Sequence, residues 1–391
     1  MTRSATGRIR NPIPISKVGV ANRTTTRAGI ANRPTAVVRA HWATDRRNTA
    51  HRPLISRREN IHSIVPADAF RRGGACYTIA PAARVTARPS CAHLPSLGMK
   101  TVLAANPRRS ARELCTFLLL SYAGAWIVAS PMWLTGFHRD SAAQGPSPLA
   151  ASCMLAMMLV PATVAIALTL REHRWPELPG VLGLRSSASW PLAIVRFASA
   201  AMVFVSITAV GLVVASGFGR YHPHLPADWT PIAGMLASAL VSVPLYLGEE
   251  VGWQGYMLPR MLRFGAARGV TLGGIVWGLW HLPMTALGGS YPGHSLLVAV
   301  PAAVICAVGV GAVIAWIRLW SGSVWPAVAA HLGFNEFALP LTKFLAAPGS
   351  TPDPLIAGPL GVTTWPALLV VAGAALLHLH GGRRTTGTTR S

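Results

Sequence analysis

The chain has 391 residues, of which 51% are hydrophobic and only 12% charged, with a formal net charge of +23. Ordinary water-soluble domains carry about 25% charged residues, so a cytosolic enzyme is excluded as the default. The remaining contest, between a nucleic-acid binder and a membrane protein, turns on where the charge sits.

Residues 1–98 hold 17 Lys/Arg against 3 Asp/Glu, and residues 99–391 hold 18 against 9. The first segment is rich in Arg, Thr, Ala and Pro and has no sustained helical or strand period. Such a composition cannot bury enough apolar surface to offset the entropy of ordering. It predicts a disordered basic leader, or a translation start at Met99 just ahead of Arg108, Arg109 and Arg112. No aromatic-basic interleaving supports a nucleic-acid arm, so no specific nucleic-acid partner is expected. The five cysteines are scattered, without zinc-site or redox spacing.

From Cys115 onward, long apolar runs alternate with short polar joints. A hydrocarbon core of about 30 Å needs a helix of roughly 20 residues. Spans are expected near 114–134, 148–170, 191–215, 232–250, 269–289, 294–316, 321–341 and 363–380. The fourth is expected to continue as helix until Pro259. With the amino end of the first span on the cytoplasmic side, 14 basic residues fall on cytoplasmic flanks, among them Arg112, Arg171, Arg260, Arg268, Arg318 and Arg383. The opposite side holds only Arg139, Arg220 and Lys343. This asymmetry fits the positive-inside rule and would be scrambled by one span more or fewer. The fold class is therefore all-α: a polytopic transmembrane helical bundle of about eight spans with both termini cytoplasmic. The expected domain occupies 99–385, with its core at 230–340 and a polar tail at 386–391. Gly309, Val310, Gly311 and Ala312 in the sixth span read as a close-packing stripe.

Charged and polar side chains within spans are costly and mark functional sites. Span four ends in Glu249-Glu250 and runs on through Gln254; span five carries Trp277 and His281; span seven carries His331, Asn335 and Glu336. At about 1.5 Å per helical residue, Glu249 lies about 15 Å from Pro259. His281 and His331 each lie about 20 Å from the basic flanks at Arg268 and Arg318. The three groups share a depth, so one convergent site is expected. His331 and Asn335, four apart, share a helix face, whereas the adjacent glutamates point about 100° apart. One glutamate then faces the site and the other a structural partner. A carboxylate and imidazoles so gathered suit general acid–base work.

These segments resemble the CPBP family of CAAX-processing and bacteriocin-processing intramembrane proteases. The family carries Glu-Glu-x-x-x-Arg, Phe-x-x-x-His and His-x-x-x-Asn/Asp motifs. Here they read Glu249-Glu250 with Gln254 in place of Arg, Trp277 and His281 with Trp in place of Phe, and His331 and Asn335 without departure. The resemblance implies an endopeptidase in which Glu249 and His281 activate water while His331 and Asn335 stabilise the oxyanion. It implies a divalent metal, zinc, with Glu249, His281 and His331 as ligands. Glu250 would ordinarily pair with the motif Arg; with Gln254 there, Glu250 is either neutral or served by another cation, and Arg260 is a candidate. The implied partners are membrane lipid and a prenylated, leader-type or membrane-associated peptide, reached through a cavity open to the cytoplasmic side of a bacterial membrane. The alternatives are a catalytically decayed membrane partner or immunity protein, favoured by Gln254, and a proton- or ion-coupled transporter.

Overall fold

The computed structural model describes residues 107–140 and 147–381. The leader 1–98, Met99 and the tail 386–391 lie outside the described residues. Within them the fold is helical, without a β-strand. The main helices are α1 (Pro107–Leu134), α2 (Pro148–Thr169), α3 (Trp190–Gly217), α4 (Thr230–Glu250), α5 (Ala266–Trp280), α6 (Leu296–Ser321), α7 (Trp325–Leu332) and α8 (Trp365–Gly381).

Local chemistry sets their ends. Prolines stand in the first turn of α2, α3, α4 and α7, where the missing N–H has no intrahelical partner to lose. The Ser147 Oγ accepts the Ala150 N–H at 3.1 Å and caps α2. Gly322 closes α6 at φ +72°, a conformation that favours glycine.

Each expected span contains one of these helices, but α7 has only eight residues and is carried on by later helical segments. By length and composition, α1, α2, α3, α4 with its continuation to Phe264, and α6 are long and apolar enough to cross a membrane. Helix α5 has 15 residues, about 22 Å at 1.5 Å per residue, and is completed by a turn at Leu282–Thr285. The assembly is a helical membrane bundle.

Pro259 does not end the fourth helix, contrary to the expectation. The chain passes from α4 into a π-helical stretch, Val251–Met257, and then into helix again over Leu258–Met261. A π turn is wider than an α turn. The proline's missing donor and its ring, which would crowd an α-helical turn, are therefore accommodated without a break. A second π stretch, Gly333–Ala338, follows α7 and leads into helix over Leu339–Phe344.

Small residues bring the helices together. A Cβ on Gly252 would stand 2.3 Å from the Pro161 side chain of α2, and one on Gly248 would stand 2.9 Å from the Met158 carbonyl. Gly274 of α5 abuts the backbone of Val308 on α6, and Gly309 receives Leu368 of α8. The glycine stripe of span six is thus a packing device.

Two faces of the bundle are distinguished by their ties. On one, Arg260 of the α4 continuation reaches Glu113 of α1, and Arg263 donates to the Pro107 carbonyl at 2.8 Å. Arg109 pairs with both Glu113 and Glu172. On the other, the Arg139 N–H donates to the Leu287 carbonyl, His224 N–H to the Leu345 carbonyl, and His294 meets Asp353 at 2.9 Å.

Candidate active site

Three helices supply the site at the points where two of them widen. Glu249 and Glu250 are the last residues of α4 before its π stretch, and His331 stands two residues before the second π stretch, which contains Asn335. His281 is the residue at which α5 ends. π segments often mark functional sites because they re-aim side chains that a regular helix would stack in line.

The adjacent glutamates part company. Glu249 is 3% exposed and lines a cavity of about 630 Å³ with Tyr246, Trp277, His281, His331 and Asn335. Its Oε2 accepts the Trp277 indole N–H at 3.0 Å and the Trp253 indole N–H at 3.3 Å. Glu250 turns away. Its Oε1 accepts the His331 Nδ1–H at 2.8 Å, and both side chains are almost wholly buried, at 1% and 3% exposed. Charge-assisted bonds of this kind are roughly twice as strong as neutral ones.

The imidazoles are oriented by these bonds. His281 Nδ1 lies 2.8 Å from the Trp277 carbonyl, which can only accept, so Nδ1 carries the proton and Nε2 is left for chemistry. His331 likewise spends Nδ1 on Glu250. Aromatic rings wall both. Tyr246 and Trp277 lie 4.9 and 5.2 Å from the His331 ring, and Trp280 lies 5.0 Å from His281.

Several expectations change here. Arg260 does not serve Glu250. Because the helix continues, it carries Arg260 about 15 Å further along, where Glu113 holds it at 2.9 and 3.1 Å above the Tyr256 ring. The partner of Glu250 is His331. Gln254 is buried, and neither its Oε1 nor the Glu250 Oε2 has a hydrogen-bond partner. Both residues line a separate void of about 20 Å³, large enough for one water molecule. Trp277 is more than a large ring in place of Phe, since its indole N–H holds Glu249.

The cavity extends from the site toward one face of the bundle. Its lining includes Phe137, Arg139, Gly289, Pro292, Lys343 and Pro354, which belong to the face opposite the arginine-rich one. The physical reason is filling: between the site and the arginine-rich face, Trp253, Trp280, Met257 and Met261 are packed to 4% exposure or less.

The expected metal set of Glu249, His281 and His331 is brought to one cavity but not to one point. The two free Nε2 atoms and a carboxylate are chemistry that suits zinc. Yet among the described residues no three His, Cys, Asp or Glu side chains are gathered closely enough to hold a metal ion. The indoles claim Glu249 Oε2 and Glu250 claims His331 Nδ1, so the side chains are held where they stand.

Residues that the motifs did not single out complete the surroundings. Trp253 stands one helical turn after Glu249 and Tyr246 one turn before it. Tyr246 donates its hydroxyl to Glu336 Oε1 at 2.8 Å, and Ser238 donates to Glu336 Oε2 at 2.6 Å. The i±3 and i±4 spacing around Glu249 was the available signal.

Residues 228–337 match the family model for type II CAAX prenyl endopeptidases, Rce1-like. The matched segment contains Glu249, Glu250, Gln254, Trp277, His281, His331 and Asn335. A comparison with curated proteins finds no match to the chain.

Proposed function

We propose that this chain, an integral membrane protein whose residues 228–337 belong to the Rce1-like CAAX endopeptidase family, hydrolyses a peptide bond of a membrane-associated substrate with Glu249 as general base. The observation that carries this reading is the two-indole grip on Glu249 Oε2 inside a cavity shared with His281, His331 and Asn335. The indoles occupy Oε2, and Oε1 remains to accept a water proton.

The steps follow from the groups present. Water held between Glu249 and His281 Nε2 loses a proton to Glu249 as its oxygen bonds to the scissile carbonyl carbon. The Asn335 amide donates to the oxyanion that forms, and His331, protonated at both nitrogens against Glu250, donates from Nε2. The C–N bond then breaks as Glu249 returns the proton to the leaving amine. Glu250 keeps the His331 ring in place from behind. The substrate class is a prenylated, leader-type or otherwise membrane-bound peptide, and the membrane is proposed to be a bacterial cytoplasmic one.

The test is cleavage of a peptide library by purified wild type, Glu249→Ala and His331→Ala. Loss of cleavage in both variants, with thermal melts showing retained folding, supports the protease. Equal turnover by all three proteins overturns it. Chelation followed by zinc add-back, run on the wild type, reads the metal requirement separately.

A further inference from the structure

We propose that the groove where α3, α6 and α8 meet, at the arginine-rich face, binds the phosphate of an anionic membrane lipid. Arg196 is its cation and the Trp316 indole N–H its second donor. The site is separate from the cavity around Glu249 and independent of the protease reading.

Four side chains form a continuous row across the three helices. The Arg196 guanidinium of α3 lies over the Trp320 ring of α6, 4.9 Å from its centroid. Trp320 stacks on Trp316 with centroids 6.2 Å apart and planes 19° apart. Trp316 in turn meets His378 of α8 edge-on at 6.3 Å. The two tryptophans are four residues apart, so they share one face of α6. Within this row the protein leaves two donors unused. Arg196 Nε and Trp316 Nε1 are both buried, and neither has a hydrogen-bond partner. Buried donors are normally paired, because withdrawing them from water is costly. The Trp320 face attracts the Arg196 charge, but both N–H groups still call for an oxygen acceptor.

The protein has no anion to offer there. Helices α3, α6 and α8 contain no Asp or Glu. Among the described residues, the carboxylates of the arginine-rich face are Glu113, Glu172 and Glu177, and each is spent elsewhere. Glu113 holds Arg109 and Arg260, Glu172 holds Arg109, and Glu177 lies 3.0 Å from His173. An outside anion therefore completes the site, and one oxyanion can accept from both donors.

Depth points to a lipid as its source. Arg196 lies about 9 Å into α3, Trp316 about 8 Å from the end of α6 and His378 about 5 Å from the end of α8. These ends lie at one face. The joint before α3 is tied to the joint after α6 by the Val324 N–H on the Gly183 carbonyl at 2.9 Å and the Trp325 indole on the Leu184 carbonyl at 3.0 Å. The row thus sits at the boundary between headgroups and hydrocarbon, where aromatic side chains anchor membrane helices. Basic pockets between helices at that level suit anionic headgroups. Val195 and Leu377, next in the chain to Arg196 and His378, are 59% and 74% exposed and offer apolar surface to acyl chains. A free phosphate would use the two donors but not this surface.

The test uses the full chain purified in detergent and stripped of lipid. Binding of phosphatidylglycerol, phosphatidylcholine, diacylglycerol and inorganic phosphate is followed by native mass spectrometry and by melting temperature. The proteins are wild type, Arg196→Gln, Arg196→Lys, Trp316→Phe and Arg174→Gln. Arg174 is an exposed arginine of the same face outside the row, so its variant removes an equal charge without touching the groove. Wild type is expected to bind phosphatidylglycerol about tenfold more tightly than phosphatidylcholine, whose choline brings its own cation, or diacylglycerol, which has no phosphate. Arg196→Gln and Trp316→Phe should each weaken phosphatidylglycerol binding about tenfold, the worth of one hydrogen bond to a charged group. Arg174→Gln should bind as wild type does. Arg196→Lys keeps the charge without the planar fork and should recover part of the loss. Equal losses in Arg196→Gln and Arg174→Gln would mean diffuse surface charge and overturn the proposal. Stabilisation by inorganic phosphate equal to that by phosphatidylglycerol overturns the lipid as ligand. If Arg196→Gln does not fold, Trp316→Phe decides, and unchanged phosphatidylglycerol binding in that variant overturns the site.

Discussion

His331 and Glu250 lie 81 residues apart in the chain and 2.8 Å apart in the fold, and this bond joins two of the three motif helices, α4 and α7, behind the cavity. It answers the question posed by Gln254. The family's motif arginine is missing, yet Glu250 has a partner, supplied by a residue that also faces the site. Breaking a buried pair from one side strands the other group, at a cost of about 3–5 kcal/mol. Glu250→Ala is therefore expected to lower the melting temperature sharply and to abolish cleavage. The double variant Glu250→Ala, His331→Ala should lose much less stability than the two single losses added together. Thermal unfolding of the four proteins checks the cycle, and additive losses would mean the bond contributes nothing.

Trp277→Phe restores the family's usual aromatic residue but removes the indole N–H that holds Glu249 at 3.0 Å. A hydrogen bond to a charged group contributes about 1.5–3 kcal/mol, so kcat should fall at least tenfold while folding is kept. Trp253→Phe, which removes a longer 3.3 Å bond, should cost less. Steady-state cleavage of one peptide by both variants decides the order.

Gln254→Met keeps the side-chain length and removes an oxygen that has no partner in a buried void. Replacing an unsatisfied buried polar group by an apolar one of similar shape is neutral or stabilising. The melting temperature should hold or rise slightly, whereas Gln254→Arg introduces a cation that competes with His331 for Glu250 and should lower kcat. A clear loss of stability in Gln254→Met would show that the amide has a partner in solution.

Gly333→Ala tests the close approach of the second π stretch to α3, because the new Cβ would lie 1.9 Å from the Ala201 carbonyl oxygen. That contact is with backbone and cannot be relieved by turning a side chain. Overpacking costs about 1–3 kcal/mol or more, so the variant should fold poorly and lose activity together. A melting temperature equal to wild type would count against the helix spacing described here.

At the arginine-rich face, a hydrogen bond from Arg109 holds the Glu172 carboxyl below its ordinary range. A carboxyl depressed in the folded state contributes stability above its unfolded pKa, about 4.3, and loses that contribution as pH falls. The pair is partly exposed, so the effect is small. Glu172→Gln should melt slightly below wild type at neutral pH, and the difference should shrink as the pH falls through the depressed folded-state pKa. Melts across that range in detergent give the comparison.

Much of this was legible in the chain itself. Apolar runs and the lopsided placement of Arg and Lys determined a helical membrane bundle, because hydrocarbon admits a backbone only when its polar groups are satisfied internally. The same scarcity of charge made Glu249, His281, His331 and Asn335 stand out, since an ionisable residue in a span is too costly to keep without a use. Their common depth followed from helical rise alone. Pairing did not, because it depends on how helices rotate and where they widen. The α4 continuation carries Arg260 past Glu250 to Glu113, and Glu250 is turned to His331 while Glu249 meets two indoles. The direction in which the cavity opens was likewise a matter of filling: bulky residues occupy one half of the bundle between its helices, and sequence periodicity does not tell which half remains empty.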